Sequence, residues 1–539
     1  MGRSALSSEV SSRPRTLLCG TVGATARRNI PGLVTGLCLG LLALGPGLRR
    51  GFLLSYDMVF VPREPFGAAM PGLAPPRAVP SDLAIAVASR IMPDDIAQKL
   101  VLLAIFVLGC AGVAALLDRE PLLARLAGGV FYVWNPYVGE RLIIGQWALL
   151  LGYAGLPWVL RAVLSPDEAP RRWTGRLCLS LVPAVIGGFA AMAITALVVV
   201  PAALLTRSIR RAAIALAALA AGSLPWLIPS LQHTVYVDPA SVTAFAARAD
   251  TPFGSIGSLL MLGGEWNAQT VPKAYGGAWS ALWLVLVIVA LTGYLVSARQ
   301  HRWPGLGIAA TAGLLIACIG VTAVGRDLLR SVTSAFPGAA VLRDGQQFVA
   351  PLALAEAAGF GVVVAWAMKP RPFGTKDQDR PGVALGVLAV LAPVLLLPGL
   401  AWGAAGRLQP AWYPAGWLAA ARTIDASPAR GAVLLLPWET YRTPSWNHGE
   451  VVLDPWSLLL SRPVIWNDGT RVGHVELAPD DPRARRLDSA IRASGPLTAI
   501  LDAAGVRFVL DDADDPGPRL PGAVVLVRQP GLTVYQLPG

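Results

Sequence analysis

Charged side chains are scarce in this 539-residue chain, because Asp, Glu, Lys and Arg make up only 14% of it. Soluble globular proteins carry about 25% charged residues. Hydrophobic residues make up 54% of the chain, and long apolar windows recur through most of it. The scarcity of charge therefore argues against an ordinary soluble protein and indicates a polytopic α-helical membrane protein.

Cysteine and histidine are also rare, with five and four copies. The histidines are scattered, and neither residue type shows the spacing of metal ligands, so the sequence predicts no metal site built from them. Four of the five cysteines lie in apolar segments, which argues against a disulfide framework. The cysteines are Cys19, Cys38, Cys110, Cys178 and Cys318.

Long apolar runs are abundant, and they predict about 11 transmembrane helices. The stretch 177–206 is short for two crossings, and its Gly187-Gly188 pair is compatible with the tip of a re-entrant hairpin. The expected spans are about 30–48, 100–117, 126–138, 146–164, 177–190, 191–206, 212–230, 278–297, 305–324, 349–368 and 382–401.

The basic residues set the expected orientation, because they cluster in short loops between apolar segments, as the positive-inside rule requires. The net charge of +12 therefore reflects membrane orientation and does not indicate nucleic-acid binding. A cytoplasmic N-terminus puts most of these loops inside, although Arg49 and Arg50 oppose it. Residues 1–29 are expected to form a disordered cytoplasmic tail, and 30–48 is interpreted as an uncleaved anchor because it lacks a small-residue cleavage site.

The orientation predicts a multi-pass protein of the plasma membrane with long outer loops at 49–99 and 231–277. Beyond residue 404 the apolar runs are too short to span a bilayer. There the pattern alternates between strands and helix, and Pro530-Gly531 is typical of a hairpin turn. The sequence thus predicts a helical membrane domain over 30–404 and a small extracytoplasmic α/β domain over 405–539.

Asp57 stands out among the acids expected at the outer face, because "SYDMVF" places it between apolar residues just after the first span. Desolvation of a carboxylate near a membrane interface tends to raise its pKa. Such a group suits a general base. The alternative is a structural acid paired with a nearby arginine such as Arg63.

Glu140 and Arg141 lie in "WNPYVGERLIIGQW", which predicts a very short loop against the membrane. Arg141 is a candidate phosphate ligand, because a guanidinium fork matches phosphate oxygens. The alternative is a Glu140–Arg141 pair that holds the loop. Arg343 in "LRDGQQF" either binds a headgroup or caps a helix.

The order of these motifs along the chain resembles the GT-C class of membrane glycosyltransferases. More closely, it is similar to the actinobacterial arabinofuranosyltransferase-like and YfhO-like membrane proteins. The resemblance covers roughly residues 30–539. It is carried by "SYDMVF", "WNPYVGERLIIGQWALLLGYAGLPW", "MLGGEWN", "LRDGQQFVAPLAL", "AAGVRFVLDD" and "TVYQLP".

The resemblance implies an enzyme that takes a sugar from a polyprenyl-phosphate donor on the outer face and inverts the anomeric carbon. Asp57 would then deprotonate the acceptor hydroxyl. Arg141, with Arg63 or Lys99 nearby, would neutralise the departing lipid phosphate. The acceptor would be a glycan or lipid of the cell envelope, which implies a role in cell wall biogenesis.

By the same resemblance, Glu140 or Asp238 would assist or hold a divalent cation such as Mg²⁺ or Mn²⁺. Two other functions stay open at this point. One is a non-catalytic membrane protein that assists lipid-linked glycan assembly. The other is a transporter, whose flux would depend on acids inside spans, such as Glu356.

Overall fold

The computed structural model describes residues 17–66, 78–165, 169–206, 208–232, 236–369, 380–493, 495–513 and 518–538. Up to about residue 406 the chain is mostly helical. The helices are α1 Leu17–Leu44, α2 Val79–Ala88, α3 Asp94–Leu116, α4 Leu122–Val133, α5 Pro136–Ile143, α6 Trp147–Val163, α7 Pro170–Leu204, α8 Ile209–Gln232, α9 Ser241–Ala244, α10 Gly254–Leu260, α11 Trp279–Arg299, α12 Leu306–Ile319, α13 Ala323–Ala335, α14 Ala350–Ala367, α15 Arg380–Leu396 and α16 Ala401–Gly406.

Six of the described helical segments are long and apolar enough to cross a membrane. Two further pairs of helices qualify only if each bent pair is one span. One pair is α12 and α13, which meet at 94°, and the other is Gly382–Leu396 with Pro398–Gly406, which is bent by 64°. The described part of the chain therefore carries six to eight candidate spans, and the expected count of eleven is not confirmed. The six are Arg28–Leu48, Asp94–Leu116, Pro170–Leu204, Ile209–Leu231, Trp279–Arg299 and Gly345–Ala367.

The difference in count has local causes. The expected span 126–138 falls on α4, which ends at Val133 because Asn135 and Pro136 start a new helix; the Asn135 side chain accepts a hydrogen bond from the Val138 N–H. The expected span 146–164 is α6, with 17 residues. Both elements are therefore shorter than the roughly 20 residues that cross a bilayer.

The stretch 177–206 forms part of a single element, α7, which has 35 residues. Gly188 inside it has φ 74° and ψ −148°, so α7 consists of two helical segments joined by a kink at the Gly187-Gly188 pair. At the N-terminus, α1 begins at Leu17, earlier than the expected span. Residues 1–16 of the expected tail lie outside the described residues.

Helix α14 lies at the centre of the bundle, since 94% of its most apolar window is buried. It packs on α4, α11 and α12. A Cβ on Gly359 would collide with the backbone of Ala290 and Tyr294 on α11. A glycine at this position therefore allows α11 and α14 to approach closely, as small residues do between membrane helices.

The C-terminal part of the chain contains a five-stranded mixed sheet in the order β10-β11-β9-β3-β6. β3 is parallel to both β6 and β9, whereas β11 is antiparallel to both β9 and β10. The strands are β1 Phe52–Leu53, β2 Pro410–Ala411, β3 Ala432–Leu436, β4 Tyr441–Arg442, β5 Val452–Leu453, β6 Val464–Ile465, β7 Arg471–Val472, β8 Val475–Glu476, β9 Val506–Asp511, β10 Val524–Gln529 and β11 Leu532–Gln536. The helices are α17 Ala415–Ala426, α18 Trp456–Leu459, α19 Pro482–Arg492 and α20 Thr498–Ala503.

The two faces of this sheet belong to different hydrophobic clusters. Val433 and Phe508 lie on the face that is continuous with the core of the helical bundle. Leu434 and Val509 point the other way, into a smaller cluster that includes Leu501 of α20. The strand β1 also pairs with β2, so the segment that follows α1 is joined to the start of the C-terminal part.

Candidate functional site

Asp57 lies at the tip of a tight turn. The Met58 N–H donates to the Ser55 carbonyl at 2.8 Å, and the Asp57 N–H donates to the Ile144 carbonyl at 3.0 Å. Leu54 and Met58 are buried, whereas Asp57 is exposed. The turn directs the apolar neighbours inward and leaves the carboxylate accessible to solvent, so the expected desolvation of Asp57 does not occur.

Gly145 allows this turn to rest on the junction between α5 and α6. Its φ is +87°, which favours glycine, and a Cβ there would collide with the Met58 nitrogen and the Ser55 carbonyl. The close approach of the two backbones fixes the position of Asp57 relative to α5.

The N-terminus of α3 holds the segment that leads to Asp57. Asp95 pairs with Arg50 at 2.6 Å, which neutralises one of the two arginines that oppose the expected orientation. Gln98 bonds to both backbone groups of Leu53, accepting from its N–H at 2.9 Å and donating to its carbonyl at 2.7 Å. These contacts anchor the strand β1 between α1 and the Asp57 turn.

Lys99 and Arg63 belong to the same anchor. The buried Lys99 ammonium donates to the carbonyls of Gly51 and Asp95. Arg63 has an exposed side chain, and its backbone N–H donates to Asp94 at 2.9 Å. The contacts that the structure describes for these two cations are structural contacts with the anchor.

Glu140 and Arg141 lie in helix α5, not in a loop as the sequence suggested. The Arg141 guanidinium lies 5.0 Å from the centre of the Tyr137 ring and forms an ion pair with Glu265. Both charged side chains are almost fully buried, with 1% and 0% exposure. Arg141 is thus a buried cation whose partner comes from "MLGGEWN" and is not the neighbouring Glu140.

Glu140 faces a second acid, Asp250. Burial raises the pKa of Glu140 well above its ordinary range, and the nearby Asp250 carboxyl raises it further. Burial also raises the pKa of Asp250 to about 6, although the Gly264 N–H, which donates to Asp250 at 2.5 Å, opposes this effect. At neutral pH Asp250, with a pKa of about 6, is therefore mostly ionised, and the raised pKa of Glu140 makes Glu140 the more readily protonated acid of the two.

Asp344 links the exposed acid to the buried cation. Burial raises the pKa of Asp344, the guanidinium groups of Arg141 and Arg343 oppose the shift, and the Asp57 carboxylate adds to it. These interactions bring four groups from three parts of the chain within electrostatic range of one another. We call Asp57, Arg141, Arg343 and Asp344 the central cluster.

Arg343 is the more accessible of the two cations in the central cluster, because its side chain is only partly buried. It donates to the Ser241 hydroxyl at 3.2 Å and lies 4.9 Å from the centre of the Phe245 ring. Both partners belong to the α9 region. Arg343 can therefore contact a ligand, whereas the buried Arg141 can influence that ligand only through its charge.

Asp238 lies apart from this arrangement. Its carboxylate accepts hydrogen bonds from the backbone N–H groups of Ala240 at 2.8 Å and Ala478 at 3.0 Å. These bonds tie the loop after α8 to the C-terminal part of the chain, which indicates a structural role.

The residues considered for a divalent cation do not form a set of metal ligands. Within the residues that the structure describes, no group of three or more His, Cys, Asp or Glu side chains could hold a metal ion. Glu140 is directed at Asp250 and Asp238 bonds to backbone N–H groups, so the two acids do not share a site.

An apolar groove of about 630 Å³ runs between α7 and α12. It reaches Phe348, which lies in the 3-10 turn Gly345–Val349 directly after Asp344. The groove is open at the surface of the bundle, where Leu204, Leu205 and Ile308 are exposed, and one of its lining residues follows Asp344 by four positions. Its lining includes Ala196, Leu197, Val200, Ile308, Ala312 and Phe348.

Of the residues predicted from the sequence, the structure brings Asp57, Arg141 and Arg343 within electrostatic range of one acid, Asp344. Glu140 interacts with Asp250, whereas Arg63, Lys99 and Asp238 contact other parts of the chain. The sequence indicated Asp344 together with Arg343 in "LRDGQQF", but it did not indicate the ion pair of Glu265 or the contact of Tyr441. Asp344 had a local signal, since it follows Arg343 directly. Tyr441 had none, because its contact with Asp57 joins residues 384 positions apart.

Together these features define a polytopic membrane protein with a cluster of acidic and basic groups at one end of its helical bundle. A scan against protein-family models and a search of curated proteins give no match. Among solved structures, the fold is similar to that of the mycobacterial arabinofuranosyltransferase AftD, determined by single-particle cryo-EM.

The similarity to AftD has a TM-score of 0.59 and 18% sequence identity, over 95% of this chain and 40% of that one. A mutant form of AftD gives a TM-score of 0.54 at 16% identity, over 98% of this chain and 42% of that one. The resemblance to the GT-C class is thereby confirmed at the level of the fold. The chain spans about two fifths of the length of AftD.

Proposed function

We propose that the protein is a membrane glycosyltransferase that transfers a sugar from a polyprenyl-phosphate donor to a glycan or lipid of the cell envelope. The observation that carries the proposal is the central cluster, in which Asp57, Arg141 and Arg343 are within electrostatic range of Asp344. The apolar groove reaches Phe348, four residues after Asp344. A base for the acceptor and a cation for a phosphate leaving group are the two requirements of such a transfer.

The basic residues support an outer location for the cluster. At the opposite end of the bundle, Arg125 donates to the Arg28 carbonyl at 2.7 Å, and Arg302 pairs with Glu120 at 2.8 Å. This arginine-rich end is the one that the positive-inside rule assigns to the cytoplasm. The central cluster and the C-terminal part then face the outside of the plasma membrane.

Asp57 is proposed as the general base. Its carboxylate is accessible, so an acceptor hydroxyl can approach it and give up its proton as the hydroxyl oxygen attacks the anomeric carbon. The bond between that carbon and the donor phosphate breaks on the opposite face, and polyprenyl phosphate leaves with inversion. Proton transfer to a positioned base contributes about 10²–10⁴-fold to the rate.

Arg343 is proposed to contact the donor phosphate, because it is the accessible cation of the cluster. Arg141 is buried and paired with Glu265, so its contribution is electrostatic and acts from beneath the phosphate. Asp344 is within electrostatic range of both cations and of Asp57, so it is proposed to modulate the charge that they present to the substrate.

The groove between α7 and α12 suits the tail of the donor. The side chains that line it are apolar, and it reaches Phe348, next to the segment that carries Asp344. A prenyl chain in this groove would leave its phosphate at the level of the central cluster. A soluble nucleotide sugar would make no use of the groove.

The test is transfer by the purified protein in lipid nanodiscs. Radiolabelled polyprenyl-phosphate sugars and nucleotide sugars are offered in parallel, with crude envelope glycans as acceptors. We expect product from a polyprenyl-phosphate sugar alone. The proposal would be contradicted if only nucleotide sugars gave product, or if none of the donors gave product. Arg343→Gln is expected to weaken donor binding about tenfold or more, whereas the exposed Arg528→Gln serves as its matched control.

A further inference from the structure

Asp57 receives one of its contacts from the far end of the chain. The Tyr441 hydroxyl donates to the Asp57 carboxylate at 2.6 Å. Tyr441 lies on β4, in the C-terminal part, and its ring meets the Tyr56 ring edge-on at 5.9 Å. The carboxylate is therefore oriented by a residue that does not belong to the helical bundle.

Backbone hydrogen bonds hold the β4–β5 ribbon against the Asp57 turn. The Tyr56 N–H donates to the Val451 carbonyl at 2.7 Å, and the Leu453 N–H donates to the Tyr56 carbonyl at 2.8 Å. Tyr441 is opposite Leu453 in the β4–β5 pair. Tyr56, the residue before Asp57, is thus hydrogen-bonded to β5 on the side opposite β4, as a residue of a third strand would be.

A buried ion cluster fixes the other side of the ribbon. Arg442 pairs with Asp512 at 2.6 Å and with Asp454 at 3.3 Å. Burial opposes the charge of Arg442, but the two acids hold its pKa above the ordinary value. The Trp456 indole N–H donates to Asp512 at 3.0 Å. Arg442 therefore joins β4 to β9 and α18 through groups that are themselves held in place.

We propose that Tyr441 is a positioning residue for Asp57, and that the β4–β5 ribbon of the C-terminal part completes the site. This inference rests on the proposed function for its catalytic consequence. The phenol holds one oxygen of the Asp57 carboxylate in a fixed position. It also favours the ionised carboxylate, because a hydrogen bond to the charged form stabilises that form.

The first test compares Tyr441→Phe with Tyr535→Phe. The control removes the same oxygen from a tyrosine of β11 whose hydroxyl makes no hydrogen bond described in the structure. We expect Tyr441→Phe to lower kcat about tenfold, to leave the KM for the donor within about twofold, and to move the acidic limb of the pH–rate profile to higher pH. An unchanged kcat and profile in Tyr441→Phe would overturn the proposal.

A second measurement does not depend on activity. A carbodiimide reacts with protonated carboxyl groups, and mass spectrometry of the peptide that contains Asp57 reports its modification as a function of pH. Tyr441→Phe is expected to raise the pH of half-modification by about half to one unit. Incorporation of 3-fluorotyrosine at position 441 strengthens the donor and is expected to lower it. Equal values in all three proteins would overturn the proposal, whether or not the protein transfers sugar.

The remaining ionisable groups near the turn are common to the three proteins, so the comparison isolates the phenol. A similar thermal unfolding midpoint in each protein shows that the ribbon stays folded. The ionisable groups near the turn that all three proteins share are Arg141 on α5, Arg343 and Asp344 before α14, and Arg407 and Glu450 near Tyr56.

Discussion

Removal of one member of the buried Arg141–Glu265 pair is expected to destabilise the protein strongly. Glu265→Gln keeps the volume of the side chain but leaves the guanidinium without its counter-charge. Both side chains are shielded from solvent, with 1% and 0% exposure, so water cannot replace the lost partner. Gln346 contacts Glu265 at 3.4 Å, which is too long to contribute much.

The magnitude follows from this burial. Breaking a buried ion pair by removing one partner typically costs about 3–5 kcal/mol, because an uncompensated charge stays in the interior. Replacement of both partners by apolar residues of similar volume is often close to neutral. We therefore expect Glu265→Gln to lower the free energy of unfolding by roughly 3–5 kcal/mol, and the double variant Arg141→Met with Glu265→Leu to recover most of that loss.

The measurement is unfolding in mixed micelles with increasing SDS, followed by fluorescence of the 17 tryptophans. The double variant also separates stability from function, since it is expected to fold but to transfer sugar more slowly than wild type. A Glu265→Gln protein within about 1 kcal/mol of wild type would refute the reasoning, because it would mean that the pair is solvated or that the charge is compensated elsewhere.

Three further predictions concern the groove, the Asp57 turn and the second pair of acids. Ala312→Phe fills the groove and is expected to slow transfer from a long polyprenyl donor about tenfold, while transfer from a short-chain donor, measured in parallel, is unchanged. Gly145→Ala forces a Cβ against Met58 at a φ of +87° and is expected to cost about 1–3 kcal/mol in the same SDS titration. Asp250→Asn is expected to flatten the pH dependence of the unfolding midpoint between about pH 4 and 6. The reason is that the pKa of Asp250 rises from 3.8 to about 6 on folding, so the folded state of the wild type loses stability as pH rises through this range.

Each of these variants has a matched control. Ala217→Phe adds the same ring to an exposed position of α8 outside the groove, and an equal loss there would contradict the prediction for Ala312. Gly254→Ala has a φ of +73° but open space around its Cβ, so it separates backbone strain from collision. Asp502→Asn changes an exposed acid on α20; if it flattened the pH dependence as much as Asp250→Asn does, the effect would not belong to Asp250.

Local patterns were sufficient to predict much of the C-terminal sheet. The continuous apolar run at 431–438 contains β3, and the predicted Pro530-Gly531 turn joins β10 to β11. These elements depend on neighbours in sequence, on apolar runs and on turn residues. The pairing of β3 with β6 and β9 joins distant segments and could not be predicted in this way.

The spans were harder to count, because hydropathy alone does not show where an apolar helix stops. Asn135 and Pro136 end the helical path after α4, although the residues around them are apolar. Gly188 breaks α7 into two helical segments that are joined by a kink. In both cases backbone conformation, and not hydrophobicity, determines the length of the element.

The site was predicted only in part, since its contacts cross the whole chain. Asp57 and Arg141 have residue types that suggest chemistry, but the partner of Arg141 is Glu265 from a distant loop. Lys99 was predicted to lie near the phosphate of the sugar donor, but in the structure its ammonium donates hydrogen bonds to the carbonyls of Gly51 and Asp95. The sequence shows the chemistry of each side chain but not which distant residues form hydrogen bonds or ion pairs with it.

The most direct test of the proposed transferase is single-turnover transfer by Asp57→Asn, with donor binding measured on the same preparation. The substitution preserves the shape of the side chain and removes its basicity. We predict that donor affinity stays within about twofold of wild type while the transfer rate falls about 10²–10⁴-fold. An Asp57→Asn protein that binds donor and transfers sugar at the wild-type rate would contradict the account.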